Sequence, residues 1–417
     1  MHQNLLIWAV AAMATAAVII RPFKLPEAVW AVLGAVLLVA LGLLPWHDAV
    51  RAMGKGVDVY LFLIGMMLLS EVARREGLFD WLAALAVRKA RGSARRLFLL
   101  IYAVGTVVTA FLSNDAAAVV LTPAVFAAAR AADVENPLPY LFICAFIANA
   151  ASFVLPISNP ANLVLYASRM PPLMTWLAHF ALPSLLSILA TYIMLRFTQR
   201  ASLVHPISAD IEQPSLSGGG RIAAAGIGVT AIVLMVSSGL GMQLGLPTAI
   251  AGAITACAVI GFKREAPWHV LRGISWAVLP LVAGLFVLVE GLGHTGILAR
   301  LATLLHDAEQ NSRQGAAWGA GILLALVSNM MNNLPAGLIA ADTIAQAKPP
   351  QAVVDALLVG VDLGPNLSIT GSLATILWLT ALRRDGLDVS FGQFLKVGAM
   401  VMPPALLLAL AGLLVAG

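Results

Sequence analysis

The sequence predicts an all-α polytopic membrane protein made of two inverted repeats, each with five transmembrane helices and one re-entrant hairpin. That layout has ten spans, two of them broken in mid-membrane. Three observations predict it. The chain has 417 residues, of which 60% are hydrophobic and 11% charged, where a soluble domain carries about 25% charged residues. The excess lies in long apolar runs and not in alternating ones, which selects helices over a β-barrel. The two halves of the chain also present the same parts in the same order.

The first run, about 4–20, has no Lys or Arg before it and no convincing small-residue cleavage site. It reads as a first span and not as a signal peptide. Runs at 26–45 and 57–73 supply the next two spans, the third ending near Glu71. The runs 97–112 and 115–131 are short of the roughly 20 residues a span needs. Ser113, Asn114 and Asp115 separate them, so they read as a hairpin over about 97–131. A broken helix follows over about 138–168, interrupted within ANAASFVLPISNPANLV (148–164), and a long span closes the first repeat, 1–198. The polar stretch 199–220, with Pro206, Pro214 and three consecutive glycines at its end, reads as a cytoplasmic linker. The second repeat, 221–417, has spans to Glu290, a hairpin over about 316–346 containing SNMMNNLP (328–335), a broken helix over about 352–383 containing VDLGPNLSITGSLATIL (361–377), and a final run. EVARREGLFDWLA (71–83) matches EGLGHTGILARLA (290–302) in the positions of Glu, Gly and the apolar residues.

An odd number of spans per repeat inverts the second repeat relative to the first, and the positive-inside rule orients both. The stretch from Glu71 to Arg96 holds seven basic residues and is expected in the cytoplasm. Arg21, Lys24, Arg196, Arg200, Arg221, Lys263, Arg264, Arg272, Arg383 and Arg384 then fall on that side, and both termini fall outside. Arg169 is expected at the outer interface. The net charge of +5 thus belongs to short membrane loops and implies no nucleic-acid partner. Cys144 and Cys257 are far apart in apolar runs, which excludes a disulfide framework and a Cys-rich metal site.

Unpaired backbone groups cost several kcal/mol each in lipid, so breaks in apolar helices persist where they line a cavity. Paired breaks in two halves point to a substrate site. Ser113 and Asn114 are expected to cap one half-helix, and Ser328 and Asn329 the facing one, leaving a polar pocket of partial positive character. Asn149, Ser158, Asn159 and Asn162 line the first broken helix; Asn366, Thr370 and Ser372, with Ser368, line the second; Asn333 follows the second tip. These groups donate and accept hydrogen bonds, which suits a small hydroxylated solute or an ion held by oxygens. As single residues they read equally as caps of one another. Asp115 and Asp362 are the intramembrane carboxylates and the candidates for proton coupling. On this reading Met330 stands opposite Asp115, so the repeat does not duplicate the acid. Glu71 and Glu290 read as interfacial, and the cysteines as packing.

At FLSNDAAAVVLTP (111–123), ANAASFVLPISNPANLV (148–164), SNMMNNLP (328–335) and DLGPNLSITGSLATILW (362–378) the chain resembles the arsenite efflux permease (ArsB) family of the ion transporter superfamily. The resemblance covers essentially the whole chain. It implies export of arsenite and antimonite across the bacterial inner membrane, driven by the proton motive force or with a soluble arsenite-stimulated ATPase at the cytoplasmic face. Superfamily members that carry dicarboxylates have Ser-Asn-Thr at both tips and bind sodium there, a pattern that Asp115 and Met330 interrupt. A neutral trihydroxy substrate fits a pocket of Asn and Ser groups, and its accumulation needs a coupled charge, which Asp115 can supply. No cofactor is implied. Two other readings stand beside this one. A sodium/proton antiporter or organic-anion carrier shares the fold, although no arginine lies in the four motifs to clamp a carboxylate. An intramembrane enzyme has no H-E-x-x-H or comparable pair to work with.

Overall fold

The computed structural model describes residues 2–166, 170–208 and 215–416. Arg169 and the middle of the linker lie outside the described residues. The helices of the first half are α1 (His2–Ile20), α2 (Glu27–Ala40), α3 (Trp46–Lys55), α4 (Val57–Arg75), α5 (Leu78–Ala90), α6 (Ala94–Leu112), α7 (Asn114–Ala116), α8 (Thr122–Ala131), α9 (Leu138–Ala150), α10 (Pro160–Tyr166) and α11 (Leu173–Thr198). Those of the second are α12 (Gly218–Gly239), α13 (Gly245–Lys263), α14 (Trp268–Leu271), α15 (Val278–His294), α16 (Ile297–Asn311), α17 (Arg313–Met331), α18 (Asn333–Ala347), α19 (Gln351–Leu363), α20 (Leu373–Arg384) and α21 (Phe391–Ala416). No strand occurs among the described residues. Among the described residues six helices are long and apolar enough to cross a membrane, and up to eight spans result if the bent pairs α3–α4 (48°) and α15–α16 (75°) each count as one.

The order of parts recurs down to the backbone. Gly77 (φ 72°) precedes α5 and Gly296 (φ 79°) precedes α16, both in the left-handed region that glycine adopts without strain. Ser93 caps α6 through the Arg96 amide and Ser312 caps α17 through the Gly315 amide. Ser113 (φ 95°, ψ 160°) and Asn332 (φ 76°, ψ 152°) occupy the same unusual conformation, each between one helix and the next.

Four helices depart from the apolar-run reading. The basic stretch 71–96 contains the helix α5, which buries Leu78, Phe79, Ala83, Ala86, Val87 and Ala90 and exposes Arg88 and Lys89. Its counterpart α16, the short α3 and the single turn α14 are likewise of mixed polarity. Such helices expose one polar stripe, so hydropathy alone passes over them. The hairpin arm α6 also has 19 residues and is apolar enough to cross by itself. The chain nevertheless returns: Gly92, just before α6, accepts from the Ile207 amide at 3.1 Å, and Ala132, just after α8, accepts from Ser208 at 2.8 Å. The start of the linker thus straps both roots of the hairpin at one end of the molecule.

Ion pairs mark two opposite ends. At one, Glu71 is held by Arg74 at 2.7 Å, Arg75 meets Glu265 at 3.1 Å and Lys263 meets Glu76 at 3.4 Å. At the other, Lys55 meets Glu290 at 2.6 Å and Trp8 donates to Thr295 at 2.9 Å. Helix α4 separates them by its 19 residues, about 28 Å. We refer to the end with Arg74 as the near end and the end with Lys55 as the far end.

The centre is built from α9 and α19, which are buried on nearly every face and largely apolar apart from Asn149, Gln351, Asp355 and Asp362. Close backbone approach seats α19. A Cβ on Gly360 would stand 2.3 Å from the Gly321 carbonyl oxygen of α17, and one on Gly364 would stand 2.4 Å from that of Ala325. Small residues permit this contact, which drives helix association in lipid through dispersion.

Candidate functional site

Between α9 and α10 the chain leaves the α-helix from Ala151 to Asn159, with a 3₁₀ turn at Pro156–Ser158, and its polar groups are closed off locally. Asn162 donates to the carbonyls of Ser152 at 2.9 Å, Pro156 at 3.3 Å and Leu155 at 3.4 Å. Ser158 accepts from the Leu155 amide at 3.1 Å and donates to the Ala110 carbonyl of α6 at 3.0 Å. Asn159 accepts from the Ala161 amide at 3.0 Å, an Asx turn that starts α10, and this leaves its amide to donate to Asp362 Oδ1 at 2.8 Å. Pro160 opens α10 at the position where proline lacks no needed donor.

The second unwound stretch lies between α19 and α20. Asn366 donates to the Phe146 carbonyl at 3.0 Å and accepts from Asn149 at 3.0 Å, which ties it to α9. Ser372 caps α20 through the Thr375 amide at 3.2 Å. Thr375 in turn donates to the Ile369 carbonyl at 2.8 Å.

The expectation for Ser328 and Asn329 needs correction. Both lie in the last turn of α17, and the helix runs on to Met331. Ser328 donates to the Ala325 carbonyl at 2.9 Å. Asn329 donates to Ala325 at 2.7 Å and Gly364 at 2.9 Å, and accepts from Ser368 at 2.8 Å, while Thr370 donates to its carbonyl at 3.0 Å. These residues fasten the second unwound stretch to α17. The tip is Asn332, which caps α18 by accepting from the Leu334 amide at 3.3 Å. The residues facing Ser113, Asn114 and Asp115 across the repeat are therefore Asn332, Asn333 and Leu334, and Asp115 stands opposite Leu334 and not Met330. Pro335, in the first turn of α18, is the signal in the sequence: proline is at home there and not seven residues into a helix begun at Ser328. Ser113 differs from its counterpart, since its side chain caps nothing.

The two tips meet. Asn114, Asp115, Asn159 and Asn333 line a small cavity of about 10 Å³, with Leu63, Pro160, Val278, Leu334 and Leu373 completing the wall. That volume holds about one water. Asp115 and Pro160 also line a vestibule of about 550 Å³ that opens at the near end, rimmed by Glu71, Arg74, Arg384 and Asp385. Asp115 thus stands on the wall between a small polar cavity and a large vestibule. Asn114 Oδ1, Asn149 Oδ1, Asn162 Oδ1 and Asp362 Oδ2 are buried without a hydrogen-bond partner. Buried acceptors are normally satisfied, so the orphaned Asn114 Oδ1 on the cavity wall points to a guest or ordered water there.

Of the residues expected from sequence, Asn114, Asp115, Asn159 and Asn333 come together, with Asp362 directly behind Asn159. Ser113 lines the vestibule. Asn149 and Asn366 pair with each other. Ser158, Asn162 and Ser372 close their own loops, and Ser328, Asn329 and Thr370 serve the fastening on α17. Glu71 and Glu290 are paired at opposite ends, Cys144 is buried and Cys257 is exposed. Among the described residues no group of three acidic, His or Cys side chains is placed to hold a metal.

Residues 8–361 match the CitMHS family model, described as citrate transporter. The chain is 30% identical over 412 residues to the arsenical pump membrane protein of Escherichia coli K12, covering 92% of each chain. It is 30% identical over 378 residues to the arsenical pump membrane protein of Yersinia enterocolitica, covering 84% of each. In three dimensions it is similar to the YdaH transporter of Alcanivorax borkumensis (TM-score 0.58, 17% identity, 89% of this chain and 86% of that one). It is also similar to MtrF of Neisseria gonorrhoeae, described with a class of antimetabolite efflux pumps (TM-score 0.54, 12% identity, 88% and 83%). These relatives are transporters, and they separate the chain from the intramembrane enzymes. The chain belongs to the CitMHS family and to the arsenical pump membrane protein family of multi-pass membrane transporters.

Proposed function

We propose that this protein is a secondary active transporter that exports arsenite and antimonite, as neutral trihydroxy solutes, by proton antiport with alternating access. Asp115 carries the proposal: it is the one carboxylate on the wall shared by the small cavity and the vestibule. The asparagines beside it offer neutral donors and acceptors to hydroxyls. The small cavity has room for a water and not for the solute, so binding on this reading parts the tips. Asp115 takes a proton when the solute leaves and gives it up when the solute binds, which gives a neutral cargo a coupled charge.

On the positive-inside rule the near end, with Arg74, Arg75, Lys263 and Arg384, faces the cytoplasm, and the vestibule is the cytoplasmic path. The repeats 1–198 and 221–417 are then inverted across the bacterial inner membrane, with ten spans, both termini outside and 199–220 in the cytoplasm. A soluble ATPase would dock on α5 and the linker strap. The test is uptake of arsenite by everted vesicles energised by a pH gradient. Uptake that persists unchanged with the gradient collapsed, or that depends on sodium, would overturn proton antiport. One observation favours a second reading: Arg384 at the vestibule rim gives an organic anion a cationic partner. Competition by a tricarboxylate for arsenite uptake would support it.

A further inference from the structure

We infer that Asp355 and His179 form a second proton-binding site, at the far end of the molecule, through which the coupled proton passes between Asp362 and the surface. This rests on the proton-antiport reading above.

Helix α10 and helix α19 run antiparallel and are joined by two polar rungs. Asn159 meets Asp362 at 2.8 Å, and Tyr166 donates to Asp355 Oδ1 at 2.5 Å. The rungs are seven residues apart on both elements, 159 to 166 and 355 to 362, so the two carboxylates share a face of α19 about 10 Å apart along its axis. Asp355 is 3% exposed. Its Oδ1 also accepts from Gln351 at 2.6 Å, and His179 Nδ1 of α11 lies 2.7 Å from its Oδ2. The His179 side chain remains 29% exposed. The order is therefore a partly exposed imidazole, a buried carboxylate, and two turns away a second buried carboxylate with one unpartnered oxygen.

Packing alone does not ask for these groups. Phe142 is the fifth residue of α9, as Asp355 is the fifth of α19. At that corresponding place α9, α20 and α21 are held by Phe142, Trp378 and Phe394, with ring centroids 5.7 to 6.2 Å apart. An apolar cluster serves the near end. A buried carboxylate at the far end brings a desolvation cost that aromatic packing avoids, and ionisable groups inside a membrane protein mark proton relays.

Among the described residues, the titratable groups facing Asp355 are Tyr166 from α10 and His179 from α11. The other helices packed on α19 carry their charges elsewhere. Asp342 of α18 lies near Lys55 and Glu290, Arg313 of α17 is exposed, and Lys396 of α21 is exposed at the opposite end of its helix from Ala416. Helix α9 has no charged residue.

The experiment uses the purified full chain in liposomes, with arsenite as cargo and a pH-sensitive dye in the lumen. It compares arsenite exchange at equal pH with net uptake driven by a pH gradient. For Asp355→Asn and His179→Gln the ratio of driven uptake to exchange should fall about a hundredfold, the lower end of what a positioned proton-transfer group contributes. Asp355→Glu should restore it in part, and His179→Gln should move the pH profile of the driven rate. An unchanged ratio, or exchange and driven uptake lost in equal proportion, would overturn the inference in favour of a packing role. If Asp355→Asn fails to fold, His179→Gln at its partly exposed position carries the same readout. Wild-type protein that exchanges arsenite without any response to the gradient would instead overturn proton antiport itself.

Discussion

The tips at Ser113 and Asn332 have nearly one backbone and two chemistries. Both residues sit at positive φ between an incoming helix and a returning one. Both are followed by an asparagine that faces the same small cavity. After that they part. The first tip continues with Asp115, and the second with Leu334. The first leaves Ser113 free of any capping duty and the second uses Asn332 as a cap. A shared backbone with unshared side chains separates what the fold requires from what transport requires: the return of the chain is common to both halves, and the carboxylate is not.

The largest break in this comparison is Asp115→Asn. It should abolish the dependence of vesicle uptake on ΔpH, and full ΔpH dependence in that variant would place coupling elsewhere. Moving the acid sharpens the contrast. Asp115→Leu combined with Leu334→Asp keeps the composition of the cavity wall and transfers the carboxylate away from the near-end vestibule. Driven uptake should stay lost although exchange is measurable. Asn114→Ala and Asn333→Ala test the part that the tips share. Each should weaken arsenite binding by roughly tenfold, the equivalent of about 1.4 kcal/mol and one hydrogen bond to a neutral partner. A large loss in one and none in the other would show that the solute sits on a single tip. The smallest effects concern stability. Asn332→Ala removes a cap and keeps a Cβ at positive φ, a cost of about 1–2 kcal/mol. Ser113→Gly loses no cap and relieves the strained φ, so it should be neutral or stabilising. Thermal unfolding in detergent reads both, and a Ser113→Gly protein less stable than Asn332→Ala would contradict the capping difference.

The breaks themselves are legible because a polar cluster inside an apolar run is costly in lipid unless it lines a cavity or caps a helix. Ser113-Asn114-Asp115 can be placed to the residue, and so can the unwound stretches around Ser158 and Asn366. The register of the second tip is not legible from residue identity. Ser328-Asn329 looks like Ser113-Asn114, yet a Ser and an Asn in the last turn of a helix can return their hydrogen bonds to the preceding turn, as they do to Ala325. Backbone conformation, which similarity of letters does not carry, places Asn332 there. Helices α3, α5 and α16 are invisible as apolar runs, because their signal is a period of 3.6 with a polar face. Asp355 and His179 are hidden for another reason. They lie 176 residues apart in the chain on different helices, and the pairing exists only once the fold brings His179 of α11 against Asp355 of α19.

One detail of the first tip has no match in the second. Between Asn114–Ala116 and Thr122–Ala131 the helix passes through a π turn, Ala117–Leu121, whereas Asn333–Ala347 is α-helical throughout. Thr122 donates to the Ala118 carbonyl at 2.6 Å and so satisfies an acceptor inside the widened turn. A π turn holds one residue more than the α turn it replaces. Shifting that surplus residue along the helix turns the side chains it passes by about 100°, one residue's share of a 3.6-residue turn, while the strapped roots stay in place. The half-helix that carries Asp115 therefore has a swivel that its twin lacks, and the carboxylate can turn without the hairpin moving as a body.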